Sequence, residues 1–136
     1  MAAQQLFGRA VLVAATLAGT VLTPALASAE PTTASAGSML HLSVQGTARD
    51  DLPRTVVLTC DPAGGSHPYA PAACQTLQAV NGNLDLLNSG HAMCTLNYAP
   101  VTLTARGHWH NRPVTFEKTF PNACVAEAAT GKVFAF

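Results

Sequence analysis

Met39-Leu-His-Leu-Ser-Val-Gln-Gly46 alternates with a period of two, with Leu40, Leu42 and Val44 on one side and His41, Ser43 and Gln45 on the other. A strand patterned this way buries one face and wets the other. After a polar loop, Thr47 to Pro53, the β-branched and apolar run Thr55-Val-Val-Leu-Thr-Cys60 reads as a second strand. Val101-Thr-Leu-Thr-Ala105 alternates again as a third. Arg106 to Pro113 contains the connection to a fourth, Val114 to Phe120, whose Val114, Phe116 and Phe120 point toward the core. Lys132-Val-Phe-Ala-Phe136 is β-prone and is the expected fifth strand.

Two helices fit between and after these strands. Asp61 to Ser66 is turn chemistry. From Pro71 to Val80, the residues Ala73, Cys74, Leu77 and Val80 share one helical face. Asn81-Gly82 stops that helix. Leu84, Leu86 and Leu87 suit a single helical turn, and Pro121-Asn-Ala-Cys124 opens a short helix through Ala128. The expected fold is α+β, a five-stranded antiparallel sheet with two short helices and two disulfides. Val56, Leu58, Val101, Leu103 and Val114 exceed what such helices cover. An uncovered sheet face is therefore expected to pair with its twin in a homodimer.

The chain has 136 residues, and its first segment stands apart. Arg9 precedes an apolar run of 13 residues, Ala10 to Leu22, which is the length of a signal-peptide core and short for a membrane span. Ala27-Ser-Ala29 fits a cleavage site before Glu30, with Ala25-Leu-Ala27 competing. Residues 1–29 thus read as a secretory signal peptide, 30–37 as a flexible small-residue arm, and 38–136 as the folded domain. Cleavage leaves six basic and seven acidic residues, a net charge of −1. That balance excludes a nucleic-acid surface, and the mature chain has no basic amphipathic helix for a membrane.

The four cysteines are Cys60, Cys74, Cys94 and Cys124. An even number in a secreted chain argues for two disulfides, with three pairings possible. We adopt the sequential one, since Cys74 on the inner helical face can reach back to Cys60 at the end of its strand. The wide spacings, without a Cys-x-x-Cys pair, do not suit zinc.

One loop is not accounted for by the core. In His91-Ala-Met-Cys-Thr-Leu-Asn-Tyr-Ala-Pro100, a disulfide at Cys94 would stiffen the backbone, and Pro100 restrains the far side. Such a loop presents Leu96 as a substrate does. The rival reading is a buried strand edge. Elsewhere, His108 and His110 flank Trp109 two residues apart, a candidate metal pair on one strand face and the alternative function, a secreted metal- or ligand-binding module. No Gly-x-Ser-x-Gly elbow, His-Glu-x-x-His motif or phosphate loop points to an enzyme.

Val57-Leu-Thr-Cys60, His67-Pro68, Ala73-Cys74, Met93-Cys-Thr-Leu-Asn-Tyr98, Gly107-His-Trp109, Asn122-Ala-Cys124 and Val133-Phe-Ala-Phe136 stand in an order and spacing that resemble the Streptomyces subtilisin inhibitor family. The resemblance runs from about Ser38 to Phe136. It implies a secreted homodimer with disulfides 60–74 and 94–124 and no cofactor. It also implies substrate-like inhibition of a subtilisin-like serine protease. The family's reactive bond lies two residues past the third cysteine, here Leu96–Asn97, with Met93, Thr95 and Tyr98 in flanking subsites. Two positions depart from the family's habit: Thr95 stands where proline is common, and Asn97 where an apolar β-branched residue is common. Leu96, in place of the frequent Met or Lys, implies a preference for enzymes with an apolar primary pocket.

Overall fold

The computed structural model describes residues 37–47, 52–88 and 90–136. The expected signal peptide and all but the last residue of the expected arm lie outside the described residues. Strands β1 (Ser38–Gly46), β2 (Arg54–Cys60), β3 (Gly64–Gly65), β4 (Val101–Trp109) and β5 (Arg112–Phe120) form one sheet in the order β3-β2-β1-β4-β5. Every neighbouring pair is antiparallel. Helices α1 (Ala70–Ala79) and α2 (Ala123–Thr130) complete the α+β fold, with 3-10 turns at Leu84–Leu86 and Gly131–Phe134.

The alternation in β1 becomes the core. Leu40, Leu42 and Val44 are buried, and between them His41 is exposed and Ser43 half-buried. Opposite them in the register, β2 contributes Leu58 and β4 contributes Leu103 and Ala105. Helix α1 closes this face with Ala73, Cys74 and Leu77, all buried. The disulfide Cys60–Cys74 ties the end of β2 to α1 across a Cα separation of 5.6 Å. Cross-linking a stretch with a sequence separation of 14 removes unfolded-state entropy of roughly 3 kcal/mol. Asn81-Gly82 ends the helix as expected. Gly82 has φ +73°, and its N–H donates to Leu77 O at 2.8 Å. A side chain there would collide with the ring of buried Trp109, so only glycine lets the turn pack flat on the indole.

Three expectations are corrected. The fifth strand is Gly64–Gly65, within the stretch read as a turn, paired with Leu58 and Thr59. Gly65 has φ +88° and lies so close to Val57 that a Cβ would overlap its carbonyl. The C-terminal stretch is instead a 3-10 turn, Gly131–Phe134, with Val133 and Phe134 buried. Gly131, at φ +60°, ends α2 and turns the chain onto the helix-bearing side. There Phe134 packs on Phe116, with ring centroids 6.0 Å apart. Burial of two large side chains outweighs a β-propensity that is itself mostly a preference for half-buried surroundings.

The connection between β4 and β5 lies within Arg106 to Pro113, where it was expected. The strands run to Trp109 and from Arg112, leaving His110 and Asn111 as a two-residue turn, both at positive φ (44° and 66°). Two such residues match the twist of the flanking strands. Finally, the apolar residues expected to spill onto an uncovered face do not. Leu58 and Leu103 are fully buried, and Val56, Val101 and Val114 pack against the core. By strand alternation the opposite face carries His41, Ser43, Thr104 and Arg106, with Met39 and Val57 among them. It is mixed and largely polar.

Candidate functional site

Residues 90–100, between the first 3-10 turn and β4, contain no helix or strand. Within them stand three of the most exposed large apolar side chains of the described residues: Met93 at 104%, Leu96 at 101% and Tyr98 at 81%. Three such side chains within six positions, all facing water, are unfavourable for a free surface and favourable for a surface meant to be covered. The rival reading, a buried strand edge, is not what the chain adopts.

The loop is held at several points. Cys94 is half-buried and bonded to Cys124 in the first turn of α2, with a Cα separation of 5.7 Å. Ala99 N–H donates to Pro121 O at 2.9 Å, fixing the other side. Between these anchors the buried side chain of Asn122 reaches the backbone around Leu96. Its Nδ2 donates to Thr95 O at 3.1 Å and to Asn97 O at 3.0 Å. Its Oδ1 accepts from Val125 N–H at 2.9 Å, capping α2. One amide therefore uses both donor hydrogens on the loop and its acceptor on the helix. The helix start is fixed to the loop, and the two carbonyls flanking Leu96 are tethered to a buried group. The Leu96 side chain itself touches nothing that restrains it.

Met93, Thr95, Leu96, Asn97 and Tyr98 thus lie on one pinned, exposed segment, with Cys94 as its covalent anchor. From the sequence, Asn122 enters only within the Asn122-Ala-Cys124 run and is given no role at the loop. Its position before a short helix signals a cap, but nothing local signals that the same amide crosses to residues 25 and 27 positions earlier.

The histidine pair does not form. His108 lies on β4 opposite Pro113, whereas His110 sits in the hairpin turn, where its Nε2 is 2.9 Å from Asp61 Oδ2. The left-handed turn takes His110 off the strand face it was expected to share. Among the described residues no group of three or more His, Cys, Asp or Glu side chains is placed to hold a metal ion. His67 is structural. It accepts from Tyr69 N–H at Nδ1 (3.0 Å), so its ring proton is on Nε2, which donates to Val133 O (3.0 Å) and fastens the C-terminal turn.

Several known proteins are similar to this chain. The family model described as subtilisin inhibitor-like matches residues 36–122, from the start of β1 to the residue that caps α2. Subtilisin inhibitor-like protein 2 of Streptomyces rochei is 46% identical over 85 residues, covering 61% of this chain and 75% of the relative. Protease inhibitor SIL-V1/SIL-V4 of Streptomyces netropsis is 40% identical over 107 residues, covering 74% of this chain and 97% of the relative. Among solved structures, Streptomyces caespitosus sermetstatin, crystallised in complex with Bacillus licheniformis subtilisin, superposes with a TM-score of 0.61 at 33% identity. The match covers 74% of this chain and 99% of that one. The family model spans all five strands and α1, and the chain belongs to the subtilisin inhibitor-like family.

Proposed function

We propose that this protein inhibits subtilisin-type serine proteases by offering Leu96–Asn97 as a substrate-like reactive bond. The observation that carries the reading is the contrast within one segment. The Leu96 side chain is fully exposed, while the carbonyls on both sides of it are tethered to buried Asn122. A protease takes a substrate's backbone through main-chain hydrogen bonds and its side chains through pockets. A segment already restrained avoids most of the ordering that a flexible peptide undergoes on binding, so more of the contact energy appears as affinity. Leu96 fills an apolar primary pocket, a burial worth roughly 1.5–3 kcal/mol. Met93, Thr95 and Tyr98 meet the flanking subsites. No cofactor takes part.

Secretion belongs to the same reading. The amino-terminal 29 residues have the pattern of an export signal, which would deliver the inhibitor to proteases outside the cell. Among the described residues no helix is long and apolar enough to cross a membrane. The functional test is a titration of the mature protein against subtilisin. Residual activity is expected to fall linearly to zero near one reactive loop per enzyme. No inhibition of subtilisin, chymotrypsin or trypsin at micromolar concentration would reject the reading.

The homodimer is part of the proposal as well. Among the described residues no helix covers the sheet face opposite α1, and a two-fold axis can set it against itself. Its mixed character, with His41, Ser43 and Arg106 beside Met39 and Val57, calls for matched polar contacts rather than a purely apolar seam. Sedimentation at micromolar concentration is expected to show two chains per particle; a monomer alone would contradict the assembly.

A further inference from the structure

Asn122 tethers the proposed reactive bond from inside the molecule. A second contact crosses it on the solvent side. Thr95 Oγ1 donates to Asn97 Oδ1 at 2.5 Å, joining the two side chains that flank Leu96. Both residues are exposed, so this bond is not a by-product of core packing.

We propose that Thr95 and Asn97 are a positioning pair, whose side-chain hydrogen bond keeps the Leu96–Asn97 bond in register, slows its net hydrolysis and favours its resynthesis. The inference rests on the reading of Leu96–Asn97 as the reactive bond. In that reading the protease serine oxygen bonds to the Leu96 carbonyl carbon. The C–N bond breaks, and the Asn97 nitrogen leaves as an amine, carrying the proton that the enzyme's base took from the serine. Resynthesis is the reverse, attack of that amine on the acyl carbon with the proton returned to the serine oxygen. Hydrolysis needs a water in the amine's place, which leaves a free Leu96 carboxyl group and restores the serine hydroxyl. The outcome depends on how well the amine is held near the acyl carbon.

Geometry explains why a second bond matters. After cleavage, Asn97 is the new amino terminus, and Asn122 grips it at one atom, its carbonyl oxygen. A residue held at one point can still swivel. Held also at Oδ1 by Thr95, it has two points of attachment, and its amino group is kept in a narrow range of orientations. Thr95 gains the same benefit, being held at its carbonyl by Asn122 and at its hydroxyl by Asn97. Cys94 next to it is fixed by the disulfide, so the acyl side of the break moves little.

The test is a double-mutant cycle of Thr95→Val, Asn97→Leu and the combined variant, each titrated against subtilisin with the cleaved inhibitor followed by mass spectrometry. Each single change is expected to raise Kd and the rate of cleaved-inhibitor accumulation about tenfold, the effect of losing one net hydrogen bond. The double variant is expected to match either single, because the bond is lost only once. A double variant whose loss is the product of the singles would overturn the pair, assigning the effects to separate contacts with the enzyme. A readout on the free protein keeps a purely structural effect apart. The three-bond couplings about the Thr95 Cα–Cβ bond should report one rotamer in the wild type and an average in Asn97→Leu. Averaged couplings in the wild type would also overturn the pair. Inhibition intact without coupling removes the pair alone, whereas a wild type that does not inhibit removes the reactive-bond reading and this role with it.

Discussion

Leu96→Asp is expected to weaken binding to subtilisin by about a thousandfold or more without shifting the thermal midpoint. The substitution removes an apolar burial of roughly 1.5–3 kcal/mol and places an unpaired carboxylate in an apolar pocket, a cost of several kcal/mol. At about 1.4 kcal/mol per tenfold, the sum reaches three decades in Kd. The domain should not notice, because the side chain is 101% exposed and makes none of the loop's tethering bonds. Leu96→Lys should be milder. Its aliphatic stem still lines an apolar pocket, so subtilisin binding should fall only about tenfold, and trypsin, whose pocket seeks a cation, should now be bound. Leu40→Asp is the contrasting control. At 1% exposure it buries a charge in the sheet and should unfold the domain. Inhibition constants and melting curves on the three variants check the set. If Leu96→Asp and Leu96→Lys inhibit as wild type does while a change at Met93 or Tyr98 abolishes inhibition, the reactive bond has been misplaced.

Removing the Cys94–Cys124 disulfide, by Cys94→Ser with Cys124→Ser, should convert a lasting inhibitor into a substrate. The bridge closes a stretch with a sequence separation of 30, worth roughly 3–4 kcal/mol of chain entropy. That is a large share of a typical domain stability of about 5–15 kcal/mol, yet it leaves the fold standing at room temperature. What is lost locally matters more. Without the bridge, Cys94 and the helix start that carries Asn122 are no longer covalently joined, and the loop can follow the protease through to hydrolysis. Inhibition should appear, then fade as the Leu96–Asn97 product accumulates. The comparison that isolates the loop is Cys60→Ser with Cys74→Ser. It removes a bridge of similar entropic weight between β2 and α1, well away from the loop in the fold, and should lower the melting temperature while inhibition stays durable. Buried Trp109 supplies a fluorescence check that both variants are folded. Equal durability in the two disulfide variants would show that the brace is not what keeps the bond from being lost.

The proposed site is partly legible in the chain itself. The Cys94-Thr-Leu-Asn-Tyr98 run fits either an exposed loop or a buried strand edge, and the position of the reactive bond two residues beyond a cysteine is what the family resemblance implies. The strands are legible too, since the alternation in Leu40, Leu42 and Val44 is a direct imprint of which side of the sheet meets α1. The identity of the fifth strand is not. Gly64 and Gly65 carry no side-chain pattern; they pair with Thr59 and Leu58, and Gly65 lies so close to the Val57 carbonyl that a side chain would not fit. The C-terminal run misleads for the opposite reason: Val133 and Phe134 carry a strong β pattern, but Gly131 directs them into a core that needed filling.

The sequence by itself therefore determined the strand faces and the helix that carries Cys74, because both follow from local periodicity. It left three cysteine pairings possible and two readings of the run around Leu96; the folded chain closes Cys60–Cys74 and Cys94–Cys124 and leaves Leu96 exposed. Tertiary structure alone decided which groups hold the leucine's backbone. Asn122 lies 27 residues from Thr95 and 25 from Asn97 and reaches both only once α2 is docked beside the loop. Likewise, His110 left the strand face for Asp61, 49 residues away, once the hairpin closed in a left-handed turn. Hydrogen-bond partners at such separations are chosen by which donors and acceptors the packed core leaves within reach of each other, and that choice has no periodic trace in the chain.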